Sequence, residues 1–266
     1  LDEKFYDLDD DEMQFLMQQT GIKDPDELKR YVIAIQREVY IIHPYPCIRL
    51  FHFVKLKARR YSVYSDVLQI AGTHPGALFL DIGCGVGNDT RRLVADGWPA
   101  HQVIASDLRA DFWDVGHKVF KSTPESFPVT FLPGDVFDDA FLAPTPLAAS
   151  EVPPGPVDLS ATTALTALRG RLAAVHASSF FHLFNEAQQT ALAYRLASLL
   201  AHTPGSTLFG GHVGRPEKGL LPERFVRPNT AGVRMFCHSP ESFVALWETV
   251  FGPGKVQAKA AIKAVE

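Results

Sequence analysis

The sequence predicts an α/β fold, a mostly parallel sheet with helices on both faces and a helical segment ahead of it. Three observations carry this. From about residue 77 onward, short apolar runs alternate with amphipathic stretches of helical period, and strands that alternate with helices pair in parallel under helices on both faces. Three of those runs close on or beside an acid, Asp81, Asp107 and Asp135. Before residue 73 the apolar spacing is that of helix alone.

Composition bounds the rest. The chain has 266 residues, 46% of them hydrophobic and 21% charged. Folding a chain of this mass buries about 31,000 Å², ample for one large core, and the composition excludes general disorder. A net charge of −4 lacks the footprint of a nucleic-acid partner. Cys47, Cys84 and Cys237 form no C-x-x-C pair, which points to a reduced, cytoplasmic protein. No apolar run reaches the ~18 residues of a membrane span. The sequence opens on Leu1 and not on methionine, so an incomplete chain is expected, and no signal peptide is recognisable. Nothing in it sets an oligomeric state.

The elements follow in order. Asp24-Pro25-Asp26-Glu27 predicts a capping box with proline at the first helical position. Behind it Leu28, Val32, Ile35, Val39 and Ile42 lie on one helical face, which Pro44 and Pro46 end. A further helix is expected over 61–71. Strands are expected at 77–81, 102–106, 129–132, 172–175, 206–209 and 255–265. Helices are expected at 88–95 and 111–121, from a cap at Asn185-Glu186-Ala187-Gln188, and from Ser239-Pro240 with Phe243, Leu246, Trp247 and Val250 on one face. Residues 143–156, APTPLAASEVPPGP, are read as an irregular insertion. The expected domains are a helical lid or substrate cap over 1–72 and a core over 73–266.

The chemistry starts at Leu80-Asp81-Ile82-Gly83-Cys84-Gly85-Val86-Gly87-Asn88, after a strand and before a helix. Glycines there allow a tight turn and close approach of backbone N–H groups to a ligand, and the helix start favours a carboxylate. The plain alternative is a glycine turn without a ligand. Asp107 ends the second strand, where an acid accepts both hydroxyls of a ribose, and Asp135 follows the third. Any one of these acids is explained as well by a cap or a turn. Three in register, at the carboxyl ends of three strands, form a nucleoside site of Rossmann-like type. The glycines run G-x-G-x-G, not the dinucleotide G-x-G-x-x-G. Asp81 is awkward beside a pyrophosphate and suits a ligand bearing an ammonium and a sulfonium. S-adenosylmethionine meets both conditions. Asp81, Gly83, Cys84, Gly85 and Asn88 are candidates for its methionine end, Asp107-Leu108 for its ribose, and Asp135-Val136 for its adenine edge.

LDIGCGVGN, SDL at 106–108 and GDVF at 134–137 together resemble the class I S-adenosylmethionine-dependent methyltransferases over about residues 77–251. Four further segments are similar to fungal methyltransferases of secondary-metabolite clusters, including the meroterpenoid carboxyl methyltransferases. These are Tyr45-Pro46-Cys47-Ile48, HASSFFHLF at 176–184, Gly210-Gly211-His212 and Ser239-Pro240-Glu241-Ser242-Phe243. The chain departs from that pattern by the insertion at 143–156 and by lacking a last antiparallel strand after Val265. The resemblance implies a small lipophilic acceptor and places the segment from His176 to His182 at the transferred methyl group. His176 is then a cofactor contact and Ser179 an acceptor contact. His182, with His212 second, is the candidate general base, since a pKa near 6.5 suits proton removal around neutrality. A histidine ends the fourth strand, where metal-dependent catechol methyltransferases would want a carboxylate, which implies no metal. No [DN]-P-P-[YFW] motif follows that strand, as base-amino methyltransferases would need, and no close pair of glutamates, as arginine methyltransferases would need. Tyr40 and Tyr45, among the aromatics of the N-terminal third, are candidates to roof an apolar acceptor pocket. The one basic cluster, Arg49, Lys55, Lys57, Arg59 and Arg60, reads in the first place as a solvated helix face, and otherwise Arg49 is the candidate to anchor an acidic acceptor. The loop 225–236 is the candidate to close the other side.

The expected activity is methyl transfer to an oxygen, a carboxylate or a phenol hydroxyl, of a small apolar metabolite. Two alternatives stay open, an NAD(P)-dependent oxidoreductase and a methyltransferase-like binding protein without turnover.

Overall fold

A computed structural model describes residues 1–145, 155, 157–222 and 235–264. The chain divides into two compact units, Leu1–Gly134 with Leu159–Ala161, and Asp135–Asp158 with Thr162–Glu266.

The first unit begins with helices. Asp9 and Glu12 form a reciprocal capping box that starts α1 (Asp10–Thr20), and Gly21, in the left-handed conformation at φ 72°, ends it. Asp24 and Pro25 start α2 (Pro25–Ile42), which buries Leu28, Val32, Ile35 and Val39 as their spacing requires. The box expected at Asp24 is not reciprocal: its carboxylate takes the Asp26 amide, one position short of Glu27. The one-turn α3 (Pro46–Arg49) and a helix α4 (Tyr64–Thr73) follow.

Then β1 (Leu78–Ile82), α5 (Asn88–Ala95), β2 (Val103–Asp107), α6 (Ala110–Val119) and β3 (Thr130–Pro133) alternate. β1 pairs in parallel with β2, and β2 with β3, with Asp81 opposite Ala105 and Asp107 opposite Pro133. All five residues of β1 are buried. Successive side chains of a strand point to opposite faces, so both faces of this strand are covered. The α/β class and the parallel pairing are thus as the alternation predicts.

The N-terminal helices share a hydrophobic core with this part of the chain. Phe15, Leu16, Leu28, Val32, Ile35 and Val39 belong to the same buried cluster as Phe112, Val115 and Val119 of α6, Phe120 at its end and Val86 of the glycine loop. The segment after the helices is held through its backbone. The Asp89 carboxylate accepts the amides of Lys57 and Ala58 at 2.8 and 2.9 Å, and the Asn88 side-chain amide donates to the Lys55 carbonyl. From the other side, the buried Glu12 carboxylate accepts the Leu56 amide at 3.0 Å and pairs with Arg60 at 2.6 Å. Removing the Asp89 carboxylate strands two amides, each costing about 1–3 kcal/mol when left unpaired in the interior. Asp89→Ala should therefore lower stability by roughly 2–4 kcal/mol in urea unfolding, and Asp89→Asn by less. Wild-type stability in Asp89→Ala refutes this tie.

The second unit contains α7 (Asp139–Leu142), β4 (Leu172–His176), α8 (Glu186–Ala197), β5 (Thr207–Phe209), the two-residue strands β6 (Gly219–Leu220) and β7 (Phe236–Cys237), and α9 (Pro240–Phe251). β4 and β5 pair in parallel, β6 and β7 antiparallel. Capping boxes start α8 at Asn185 with Gln188 and α9 at Ser239 with Ser242. The sixth strand expected at 255–265 is absent from the described residues of that stretch. Residues 255–264 carry no strand, and most of their side chains face solvent, which leaves an alanine- and lysine-rich run no apolar face to bury. Most of the insertion at 143–156 and most of the loop at 225–236 lie outside the described residues. No helix among the described residues is long and apolar enough to cross a membrane.

Candidate functional site

In the first unit the glycine loop joins β1 to α5 and hangs from β2. The amides of Gly83 and Cys84 both donate to the Ser106 carbonyl, at 2.8 and 3.1 Å. The Gly85 amide donates to the Asp107 carboxylate at 2.9 Å, whose other oxygen takes the Arg109 amide at 3.1 Å. Gly83, Gly85 and Gly87 all have positive φ, between 56° and 73°, a region that glycine enters without the Cβ penalty. Their surroundings differ. A Cβ on Gly85 would meet nothing within 4 Å, whereas one on Gly87 would lie 2.6 Å from Trp113 and 2.7 Å from Arg91. The loop is open at Gly85, beside Asp107, and packed at Gly87.

The acids are set differently too. Asp81 is buried and accepts the Thr90 hydroxyl at 2.5 Å. Asp107 is half-buried, and burial holds its carboxyl above the ordinary carboxylate pKa, against the backbone amides of Arg109 and Gly85, which pull it down. Cys84 is buried and its thiol is pushed well up by burial. Leu108 is exposed. Asn88 opens α5, with its side chain bound to the Lys55 carbonyl.

Of the acceptor candidates in this unit, Tyr45 comes together with Asp107. Burial first, and then the Asp107 charge, raise its phenol pKa, opposed by a hydrogen bond from Arg109. Its ring lies 4.1 Å from His43 and 6.0 Å from Phe112, centre to centre. Tyr45 caps α3 and Arg49 ends it. Arg49 makes no ion pair among the described residues, and Tyr40 is half-buried against the shared apolar cluster.

In the second unit Asp135 is exposed and accepts the Phe137 amide at 2.9 Å, while Val136 is buried. Past their strands β4 and β5 stay joined. The Ala177 amide donates to the Phe209 carbonyl and the Ser179 amide to the Gly211 carbonyl, at 2.9 and 2.7 Å. Ser179 adopts positive φ, 55°, a strained conformation of the kind that gathers at functional turns. His176 is buried with Nε2 2.7 Å from the Ser178 hydroxyl. His182 Nδ1 accepts the Val213 amide at 3.2 Å, which puts the proton of the neutral ring on Nε2. His212 lies 5.7 Å from the Phe181 ring and 4.7 Å from Phe243, and burial, then His238, draw its pKa down to about 4.

Sequence reasoning missed Arg109, His43, Thr90 and the buried Arg91. Thr90 was findable as the hydroxyl two places after Asn88 in the helix that leaves the glycine loop. The Arg109 amide and the His43 ring sit two residues from their partners Asp107 and Tyr45, but neither contact marks the residue type, and Arg91 is a charged residue buried by rings distant in sequence.

A model of the meroterpenoid methyltransferase N-terminal domain matches residues 2–54. O-methyltransferase phiE from Fungal sp. (strain ATCC 74256) is 31% identical over 91% of this chain and 71% of its own length. O-methyltransferase atr3 from Stereocaulon alpinum is 27% identical over 85% of this chain, which spans 57% of that protein. Asnovolin E/Chermesin D methyltransferase nvfJ from Aspergillus novofumigatus is 27% identical over 84% and 70%.

Proposed function

The chain belongs to the family of fungal methyltransferases that includes O-methyltransferase phiE, and on that footing we propose that it transfers a methyl group from S-adenosylmethionine to an oxygen of a small, apolar secondary metabolite. The observation that carries this reading is the Asp107 carboxylate, pinned by the Gly85 and Arg109 amides beside open space over Gly85. Each of its oxygens already accepts one amide and keeps a further lone pair for a ribose hydroxyl. The buried Asp81 carboxylate, on β1 just before the loop, is proposed for the ammonium, and the first turn of α5 supplies amides for a carboxylate. The bound cofactor brings an activated methyl, so the chain's work is orientation and exclusion of water. Asp135-Val136 and His176 complete the proposed cofactor set. Tyr40, Tyr45, Arg49 and Ser179 are proposed for the acceptor, and residues 1–72 are proposed as a lid.

The two histidines favour one acceptor over another. A ring whose Nδ1 takes the Val213 amide has its one basic lone pair engaged there, and a histidine with a pKa of about 4 is a weak base at neutrality. A carboxylate needs neither, being ionised at pH 7. On a carboxylic-acid acceptor, His182→Ala should lose less than the ~100-fold that a general base contributes, with a rate nearly flat in pH around neutrality. A loss of ~100-fold or more, with the rate rising through the histidine's titration, returns the assignment to a phenol and a base.

Calorimetric titration with S-adenosylmethionine, S-adenosylhomocysteine and NAD(H) tests the cofactor. Binding of NAD(H) alone favours the oxidoreductase. Cofactor binding without label transfer from methyl-labelled donor into any component of a fungal metabolite extract favours the binding protein.

A further inference from the structure

Arg91 is the fourth residue of α5 and one of the most deeply buried side chains, 1% exposed. It forms no ion pair among the described residues. Its Nη1 donates to the carbonyls of Val86 at 2.9 Å and Gly87 at 3.4 Å, and Nη2 to the Ser122 hydroxyl at 3.3 Å. The rings of Trp113, Phe120 and Phe127 surround the guanidinium at 5.2, 4.6 and 4.5 Å from their centres, and Nε is buried without a partner. Burial pulls the guanidinium pKa down to about 9, which marks a charge short of compensation.

Carbonyls and aromatic faces offset part of the cost of burying a cation, but a methionine would fill the same volume with no such cost. The guanidinium is spent on the glycine loop. It draws the Val86 and Gly87 carbonyls to one side, while Gly116 lets the backbone of α6 close on the same Val86 carbonyl, where a Cβ would sit at 2.3 Å. The second half of the loop is thus clamped, and the open half at Gly85 is free to meet a ligand. The signs also matter. Asp81 and Asp107 by themselves favour a cation. An amino-acid group carries both charges, and Arg91 is the positive charge set against the same loop.

We propose that Arg91 is a positioning residue that clamps the glycine loop and makes the site select ligands bearing an amino-acid carboxylate over the same nucleoside without one. This rests on the S-adenosylmethionine reading above. The test is calorimetric titration of wild type, Arg91→Met, Arg91→Gln and Arg91→Lys with S-adenosylhomocysteine and with 5′-methylthioadenosine, which keeps the nucleoside and thioether but lacks the amino acid. Thermal melts of each variant report folding. Wild type should prefer the homocysteine compound. Arg91→Met should lose about tenfold or more of that affinity and less than about threefold for methylthioadenosine, as expected when a charge-assisted contribution is removed. Arg91→Lys should keep the preference. Arg91→Gln retains a donor for the Val86 carbonyl without the charge, and it should lose the preference even where Arg91→Met does not fold. Equal weakening of both ligands, with the preference intact in Arg91→Met or Arg91→Gln, reduces Arg91 to a packing residue and overturns the proposal. Wild type that binds neither compound sinks the cofactor reading, and this proposal with it.

Discussion

Asp107→Ala is expected to weaken S-adenosylhomocysteine binding by roughly 10- to 100-fold, the 1.5–3 kcal/mol of a lost charge-assisted hydrogen bond. Two losses combine. The ribose hydroxyls lose their proposed acceptor, and the Gly85 and Arg109 amides lose theirs, which loosens the loop at Gly85 while Gly83 and Cys84 stay bonded to Ser106. Asp107→Asn keeps one oxygen and should fall between. Asp107 also sets a pH dependence. Burial raises its pKa above the ordinary carboxylate value, and the ionised form is the one that accepts two hydroxyls. Cofactor affinity should therefore fall on acidification, starting above the pH at which an exposed aspartate titrates. The stability effect has the opposite sign. Between the ordinary pKa and the raised one the folded state holds more protons than the unfolded state, so this group's contribution to stability declines as pH rises through that window. Asp107→Ala that binds as tightly as wild type removes the basis for the ribose assignment.

Gly210→Ala should have the largest effect on stability. The segments that leave β4 and β5 run so close that a Cβ on Gly210 would lie 2.0 Å from the Ala177 carbonyl oxygen and 2.5 Å from its carbon. Both are backbone atoms, fixed by the Phe209–Ala177 and Gly211–Ser179 hydrogen bonds on either side, so no side chain can swing away. Relief requires breaking that pairing, a loss of about 3 kcal/mol or more, at the upper end for overpacked sites. In a chain of this size that corresponds to a fall in Tm of roughly 6–12 °C. The turns bearing Ser179, His182 and His212 should loosen with it, visible as faster amide exchange over 177–183 and 210–213. A variant that melts with wild type would show that the two segments move apart easily.

What the sequence disclosed follows physical rules about local pattern. β1 was legible because a run buried on both faces reads as unbroken apolar residues, and the buried side of α2 because its spacing is helical. α8 announced itself by the cap at Asn185 and Gln188, and α9 by Ser239-Pro240 ahead of an apolar face. α1 carries a capping box as well, but Asp9 and Glu12 sit in an acidic stretch where any residue passes for solvated surface. The hairpin of β6 and β7 is two residues long on each side, too short for a period to show. Asp107 was legible as an acid that ends a strand, but the expected register of three acids is corrected: Asp81 lies one residue inside the end of β1 and opposite Ala105, and Asp135 lies two residues past β3, because the strands are staggered in their pairing. The partners of Asn88 and Asp89 were not, because the segment they bind is distant in sequence and is bound through its backbone, which leaves no mark on residue type. Arg91 was hidden for a related reason. Charge predicts exposure, and only the three rings and the loop carbonyls around it reverse that expectation.

The core shared by α1, α2, α6 and Val86 bears on how relatives of this chain can diverge or be recombined. The N-terminal stretch is recognisable by itself as a family unit over 2–54, which invites its use as an interchangeable cassette. Its apolar face, however, is cut to fit Phe112, Val115, Val119 and Phe120, and the backbone that follows it is tied to Asp89. A graft at residue 54 between two family members would set one protein's knobs against another's sockets. A graft that carries α6 and the start of α5 along with it preserves the fit. Inherited change in the N-terminal helices should accordingly track change in α6, and a new specificity introduced into one will hold only where the other is altered to match.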